Sequence, residues 1–389
     1  MPIFHTAEPE DIRNGRVTDV YFSRTLEVLK KKGIDRRVRA EFFAKTLPDG
    51  FRWGILAGIE EAARLMEGKQ VNIRSMREGE AFMPYEPVME IEGMYRDFCV
   101  FETALLGLIC QASGVATKAA RIRLAAGDRT VVSFGARRMH PVLAPMIERA
   151  AYLGGCDGVS VVVSAELIDE TPMGTMPHAL ILIIGDTVEA VEAYDRIIDK
   201  RVKRVALIDT FNDEKFETLR VAGAMGKRLF AVRLDTPASR RGNFYRMFEE
   251  VRWELDLRGY GHVKLFASGG LDEKEVRELS PIVDAFGVGT SISNAPVVDF
   301  SMDIMEIDGR PFAKKGKWSG AKDVLRCRAC GGRKIIPLGS KKKACPECGK
   351  AMESLFTPLI KEGKIARELP KPKAIRQRVM ANLEGLELG

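Results

Sequence analysis

From about residue 116 to 290, short apolar runs recur, each followed by a polar loop and a helical stretch, and this alternation leaves few folds open. The runs are 130–133, 158–164, 204–209, 229–234, 263–267 and 284–288. Strands separated by helices do not pair as hairpins, so they run parallel, and a parallel sheet must be covered by its helices or closed on itself. Several runs end in polar or glycine-rich residues, namely SFGARR, SAE, IDT, RLDT, SGG and GVGT. The C-terminal ends of strands are where barrel enzymes place their sites. The expected core is therefore an irregular α/β barrel, closed or nearly so. Six strands are clear, while ALILII at 179–184 reads equally as a buried strand or a helix turn, because periodicity cannot decide so short a run. An open, doubly wound sheet is the alternative.

Around this core the sequence divides into unequal parts. Residues 1–115 mix helical patterns at 21–31 and 54–68 with a strand-like run at 86–92, which predicts an N-terminal α+β, sandwich-like domain, completed by about 291–320. The barrel domain covers 116–290, a small zinc ribbon 321–360, and a charged, partly helical tail 361–389. With 46% hydrophobic and 30% charged residues, 389 residues suffice for two or three globular domains with a sizeable core. The N-terminus shows no stretch of signal-peptide character, and the longest apolar run, 179–184, is too short to span a bilayer. The expectation is a cytoplasmic protein with no membrane partner. Cys99, Cys110 and Cys156 stand alone in apolar surroundings, which speaks against a secreted disulfide framework. The net charge of +7 suits anionic substrates or nucleic acid without choosing between them, and its densest run is Lys341, Lys342 and Lys343.

The motif most specific by spacing is Cys327-x-x-Cys330 followed, after fourteen residues, by Cys345-x-x-Cys348. Each pair turns two thiolates toward one tetrahedral ion, and four sulfurs close a zinc site with no position left for catalysis. The expected zinc is structural. The second feature is the pair of glycine-rich strand ends, Ser268-Gly269-Gly270 and Gly287-Val288-Gly289-Thr290. Glycine lets backbone N–H groups approach an anion, and the loops after the last two strands of a barrel often hold phosphate. Arg137 and Arg138 supply matching charge in a form suited to phosphate or carboxylate. Asp209 and Asp235, also at strand ends, suit ribose hydroxyls or a magnesium ion, and equally suit helix capping.

At these residues the chain resembles the nicotinate phosphoribosyltransferases, among the type II phosphoribosyltransferases. The segments that carry the resemblance are TDVY at 18–21, EGEAFMPYEPVMEIEG at 78–93, ETALLGLICQASGVATKAARIRLAA at 102–126, SFGARR at 133–138, GTMPH at 174–178, LIDT at 207–210, VRLDT at 232–236, FASGGLD at 266–272 and FGVGT at 286–290. IDGRPFAKKGK at 307–317 resembles the family's return segment after the barrel.

The resemblance implies substrates and roles. Nicotinate, phosphoribosyl pyrophosphate with Mg2+, and ATP would be the ligands, bound at sites shared across a homodimer or a higher oligomer. Tyr21 would stack on the pyridine ring from the neighbouring subunit. Phe134, Arg137, Arg138, Thr175 and Arg233 would line the substrate pocket, the arginines meeting phosphate, pyrophosphate or the nicotinate carboxylate. Asp209 and Asp235 would hold ribose or its magnesium ion, with Asp235 balancing charge in catalysis. Ser268, Gly269, Gly270, Gly287, Gly289 and Thr290 would bind the 5'-phosphate, and His178 would be phosphorylated by ATP. Pro177, just before that histidine, departs from the family pattern. Two alternatives stand beside this reading: a quinolinate phosphoribosyltransferase, although SFGARR differs from that branch's segment, and an RNA-binding or RNA-modifying barrel with a zinc ribbon. The absence of clustered exposed aromatics speaks against nucleic acid.

Overall fold

A computed structural model describes residues 4–341 and 344–388, so Lys342 and Lys343 of the basic run lie outside the described residues. Apart from the last two residues, the chain forms two compact units, 1–117 with 296–387, and 118–295.

The first unit is built on a seven-stranded antiparallel sheet, ordered Arg310–Pro311, Phe300–Ile307, Arg37–Ala44, Met89–Met94, Val71–Ser75, Thr357–Lys361, Lys364–Ile365. Alternation along Arg37–Ala44 sorts its two faces. Val38, Ala40 and Phe42 enter an apolar core with Ile73, Met89, Ile91 and Phe300. On the other face Arg74 forms a two-pronged pair with Glu90 (2.8 and 2.7 Å), and Arg39 reaches Glu90, Glu92 and Glu306. The 54–68 stretch is not one helix: Gly54–Ile55 is a strand, and the helix is Ile59–Met66. The 86–92 run starts its strand late, at Met89–Met94. Residues 357–365, assigned from sequence to the ribbon's end and the tail's start, are instead strands of this sheet.

The helix Glu102–Ala126 carries residues of both units. Within helical residues Tyr95–Ala126 an 18-residue window has a mean hydropathy of 1.6, so by length and composition alone this helix could cross a membrane. That corrects the sequence reading, which counted unbroken apolar runs and so missed a long helix of Ala, Leu, Ile and Gly punctuated by small polar residues. Its character is that of a core helix: Leu105, Ile109, Val115 and Ala116 are fully or almost fully buried. Ser113 and Thr117 use their hydroxyls on the backbone N–H groups of Ala57 (3.0 Å) and Ile55 (2.9 Å).

The cysteine-rich segment forms a three-stranded sheet, Arg333–Pro337, Lys322–Cys327 and Met352–Ser354. Two tight turns follow one pattern: Gly331 N–H donates to Cys327 O (3.0 Å) and Gly349 N–H to Cys345 O (2.9 Å). Both glycines have positive φ, 76° and 69°, which these turns require. All four sulfurs lie within 4.8 Å of one another.

The second unit holds a six-stranded parallel sheet in the order Gly158–Val159, Thr130–Ser133, Ala285–Val288, Lys264–Ser268, Ala231–Leu234, Val205–Leu207. The 158–164 run breaks after two strand residues into the helix Val162–Leu167. ALILII is helical, His178–Ile184, closed by Gly185 at φ 97°. Alternate residues of five strands, among them Val132, Val205, Ala231, Phe266 and Ala285, line a cavity of about 860 Å3, so the sheet curls around a partly unfilled interior. Its first and last strands do not pair with each other among the described residues.

Candidate active site

At the C-terminal ends of these strands opens a second cavity, of about 830 Å3. It is lined by Phe134, Arg137, Arg138, Thr175, His178, Arg233, Asp235, Ser268, Gly269, Gly270, Gly287, Gly289 and Thr290, so every barrel residue singled out in the sequence faces it except Asp209.

The two glycine loops owe their course to close approaches. A Cβ on Gly287 would come within 2.4 Å of two Phe134 ring carbons, and one on Gly135 within 2.6 Å of the Gly289 carbonyl. Gly269, at φ 91°, passes so near Asp235 that a Cβ would meet its carbonyl oxygen at 2.8 Å. The loop is tied down on both sides: Ser268 Oγ donates to Asp235 Oδ1 (2.8 Å), and Arg241 Nη1 donates to Gly269 O (2.7 Å).

His178 opens the helix His178–Ile184. Its Nδ1 lies 3.0 Å from Thr210 Oγ1, while Nε2 lies 3.9 Å from Asp209 Oδ2 and 3.7 Å from Asp235 Oδ2. The imidazole is 38% exposed and Asp209 only 3%. Burial pushes the Asp209 carboxyl above the usual range, and the neighbouring His178 opposes the shift. The Asp209 Oδ1 is buried with no hydrogen-bond partner among the described residues.

Arg233 donates to Thr175 Oγ1, sits 3.8 Å from Asp235 Oδ2 and lies 5.9 Å over the Phe134 ring, which is stacked 6.0 Å from Phe266. Burial pushes its guanidinium down, against the pull of Asp235 and Asp209. Arg137 and Arg138, on the turn Ala136–Arg138, are exposed into the cavity without an ion-pair partner among the described residues. Phosphate-sized anions and a carboxylate fit such a lining.

Tyr21 belongs to the first unit, on the helix Val20–Lys32. There Phe22 is the buried ring, whereas Tyr21 is 57% exposed, so core packing does not account for it. Residues not chosen from sequence also shape the site. Ser160 lines the cavity, and its N–H and hydroxyl both donate to Glu148 Oε1 (3.0 and 2.9 Å), a carboxylate buried on the helix Ala144–Leu153. The VSVVV and IERAA context of these two residues carries no visible signal. Thr210 and Arg241 were within reach, the first in LIDT and the second in a basic pair after RLDT.

A curled parallel sheet with two glycine loops, arginines and two acids at its strand ends suits an enzyme that handles anionic substrates. The family models for the quinolinate phosphoribosyl transferase N-terminal and C-terminal domains match residues 19–113 and 115–303. The chain belongs to this family of type II phosphoribosyltransferases. It is 27% identical to a nicotinate phosphoribosyltransferase of Mycobacterium tuberculosis, over 96% of this chain and 91% of that protein. It is 29% identical to that of Bacillus subtilis, over 72% and 63%. A solved nicotinate-nucleotide pyrophosphorylase from Pyrococcus furiosus is 52% identical, covers both chains fully and superposes with a TM-score of 0.98. The human nicotinic acid phosphoribosyltransferase, 18% identical, shares the fold at a TM-score of 0.76, over 95% of this chain and 94% of that one.

Proposed function

We propose that this enzyme joins nicotinate to phosphoribosyl pyrophosphate in NAD salvage, forming nicotinate mononucleotide and pyrophosphate, and couples the reaction to ATP hydrolysis through His178. The observation that carries the reading is the placement of one imidazole between Thr210 and two acids, at the edge of a cavity lined by arginines and glycine loops. The pyridine nitrogen attacks the anomeric carbon as the carbon–oxygen bond to pyrophosphate breaks. The protein's part is orientation and charge stabilisation. Arg137, Arg138 and Arg233 take pyrophosphate oxygens and the nicotinate carboxylate, with Thr175 and Phe134 completing the pocket. The backbones of 268–270 and 287–290 take the 5'-phosphate. Asp235 balances the cationic ribose.

In the coupled step, His178 Nδ1 is engaged by Thr210, leaving Nε2 to attack the γ-phosphorus of ATP. ADP leaves, and water later releases phosphate and restores the imidazole. Asp209 and Asp235 would hold a magnesium ion, which neutralises pyrophosphate charge; the partnerless buried oxygen of Asp209 fits a cation.

Cys327, Cys330, Cys345 and Cys348 would hold one structural zinc. Sulfurs 2.3 Å from a tetrahedral ion stand about 3.8 Å apart, close to the 3.5 Å of Cys327–Cys348 and of Cys330–Cys345. The homodimer with shared sites that this reading includes is supported by Tyr21, exposed on its helix with Val20 and Val28. Cytoplasmic localisation suits cysteines that form no disulfide among the described residues.

The test is one panel: phosphoribosyl pyrophosphate with nicotinate, nicotinamide or quinolinate, with and without ATP. Nicotinate should turn over, faster with ATP. Turnover of quinolinate alone would move the chain to that branch, and RNA binding without pyridine turnover would remove it from both.

A further inference from the structure

We propose that the first unit carries a second anion site, in which Arg77, Arg367 and Arg378 hold a phosphate or pyrophosphate group. The three come from distant stretches of sequence: Arg77 from the turn after the strand Val71–Ser75, Arg367 just beyond the strand Lys364–Ile365, and Arg378 from the helix Pro372–Leu383. They converge on one cavity of about 240 Å3. Other arginines of this unit set the contrast. Arg74, Arg326 and Arg333 are each paired with a glutamate, at 2.7, 3.0 and 2.7 Å. None of the three cavity arginines has an ion pair among the described residues.

Their remaining bonds are to neutral groups. Arg378 Nη1 donates to the Glu78 carbonyl (2.6 Å) and Arg367 Nη2 to Ser75 Oγ (3.1 Å). Arg367 Nη1 is buried and has no acceptor among the described residues. The guanidiniums also repel one another. Burial, and then the charges of Arg77 and Arg378, push Arg367 down to about 10 against the pull of Glu78, and burial and Arg77 lower Arg378 against Glu80 and Glu78. Three carboxylates line the same cavity. Glu78 accepts from the backbone N–H groups of Gly58 (2.8 Å) and Glu60 (3.3 Å), and Glu60 and Glu368 complete the lining.

An unmade bond on a buried guanidinium is costly, and like charges turned toward one space make it more so. An oxyanion in that space meets three guanidiniums that carry no ion pair among the described residues, which is the chemistry arginine favours for phosphate. The cavity is smaller than the roughly 300–1,000 Å3 typical of drug-sized ligands, so it takes an anionic group and not a whole nucleotide. The group is either a free inorganic anion or the phosphate end of a nucleotide whose base stays outside. This inference does not rest on the proposed reaction.

The experiment locates the anion directly. Crystals of the full chain are soaked in tungstate, and phosphate, pyrophosphate and ATP are titrated calorimetrically into wild type, Arg77→Ala and Arg367→Lys. Arg77 is exposed and bonds to no other side chain among the described residues, so its replacement leaves the fold intact, as an unchanged thermal midpoint verifies. Expected is anomalous density in the cavity within hydrogen-bonding distance of at least two of Arg77, Arg367 and Arg378, and a second binding event per chain. Arg77→Ala should weaken that event roughly tenfold or more while the barrel site is unaffected. Displacement of tungstate by phosphate or pyrophosphate identifies a free anion, and displacement by ATP alone identifies a nucleotide end. Tungstate at the barrel loops only, or a stoichiometry and affinity identical in wild type and both variants, overturns the proposal.

Discussion

Replacing Gly287 with alanine puts the packing of the phosphate-loop strand under direct load. The new Cβ would lie 2.4 Å from Cδ2 and Cε2 of Phe134, where carbons rest at about 3.5–4.0 Å, so the ring must move by about 1 Å or more. Its open sides are the two cavities that it lines. Phe266 is stacked 6.0 Å away and Arg233 lies 5.9 Å over its face. Overpacking of this kind costs about 1–3 kcal/mol. At roughly 2–4 °C per kcal/mol for a unit of this size, the midpoint of thermal unfolding should fall by roughly 2–12 °C. Because Phe134 and Gly287 both line the cavity, KM for phosphoribosyl pyrophosphate should rise in the same preparation. A second change, Phe134→Leu, removes the ring atoms that collide and should return at least half of the lost stability when combined with Gly287→Ala. The reasoning is refuted if Gly287→Ala unfolds with the wild type, or if the double variant is no more stable than the single one.

Three further changes separate structure from chemistry. Burial raises the Asp209 carboxyl, so the stability this group contributes is present below its unfolded value and is lost as pH rises through its folded value. Asp209→Asn should therefore unfold at a higher temperature than wild type at pH 7, with the gap closing toward pH 3, while turnover falls; equal or lower stability at pH 7 would contradict this. Metal analysis should find about one zinc per chain, and Cys330→Ser with Cys348→Ser should lose both the zinc and the ribbon's resistance to proteolysis; a metal-free wild type with an equally resistant ribbon would remove the zinc site. Tyr21→Ala should raise KM for nicotinate more than for phosphoribosyl pyrophosphate, by a stacking contact of about 1 kcal/mol; equal change in both would take Tyr21 out of the pyridine site.

The parallel sheet could be read from the sequence because its strands are apolar, short and bounded by glycine and acidic residues, as at Lys264–Ser268 and Ala285–Val288. The same simplicity misled where apolar content did not specify a period. VSVVV is β-branched enough for a full strand, yet only Val159 of it is strand and a helix starts at Val162, while ALILII, open between strand and helix turn, is helical and closed by Gly185 in the left-handed region. Strand Thr357–Lys361 was hidden because its partner, Val71–Ser75, lies nearly three hundred residues earlier and only tertiary packing joins them. Site chemistry followed residue type, so histidine, arginines and glycine loops could be chosen in advance. Burial could not: Asp209 carries the same side chain as Asp235, but lies beneath His178 and not in the cavity lining. The arginines around Arg367 were passed over because in sequence they look like any other exposed basic positions.

The most direct test of the functional account is to incubate wild type and His178→Ala with γ-labelled ATP, then follow protein-bound label, ATP hydrolysis and nicotinate mononucleotide formation in the same preparations. Wild type should hold label that acid removes and base spares, since a phosphorus–nitrogen bond breaks when its nitrogen is protonated. His178→Ala should hold none, hydrolyse no ATP, keep an unchanged thermal midpoint, and still form nicotinate mononucleotide at a rate ATP no longer raises. Label on another residue of the wild type, or an intact His178→Ala enzyme still stimulated by ATP, would contradict the account.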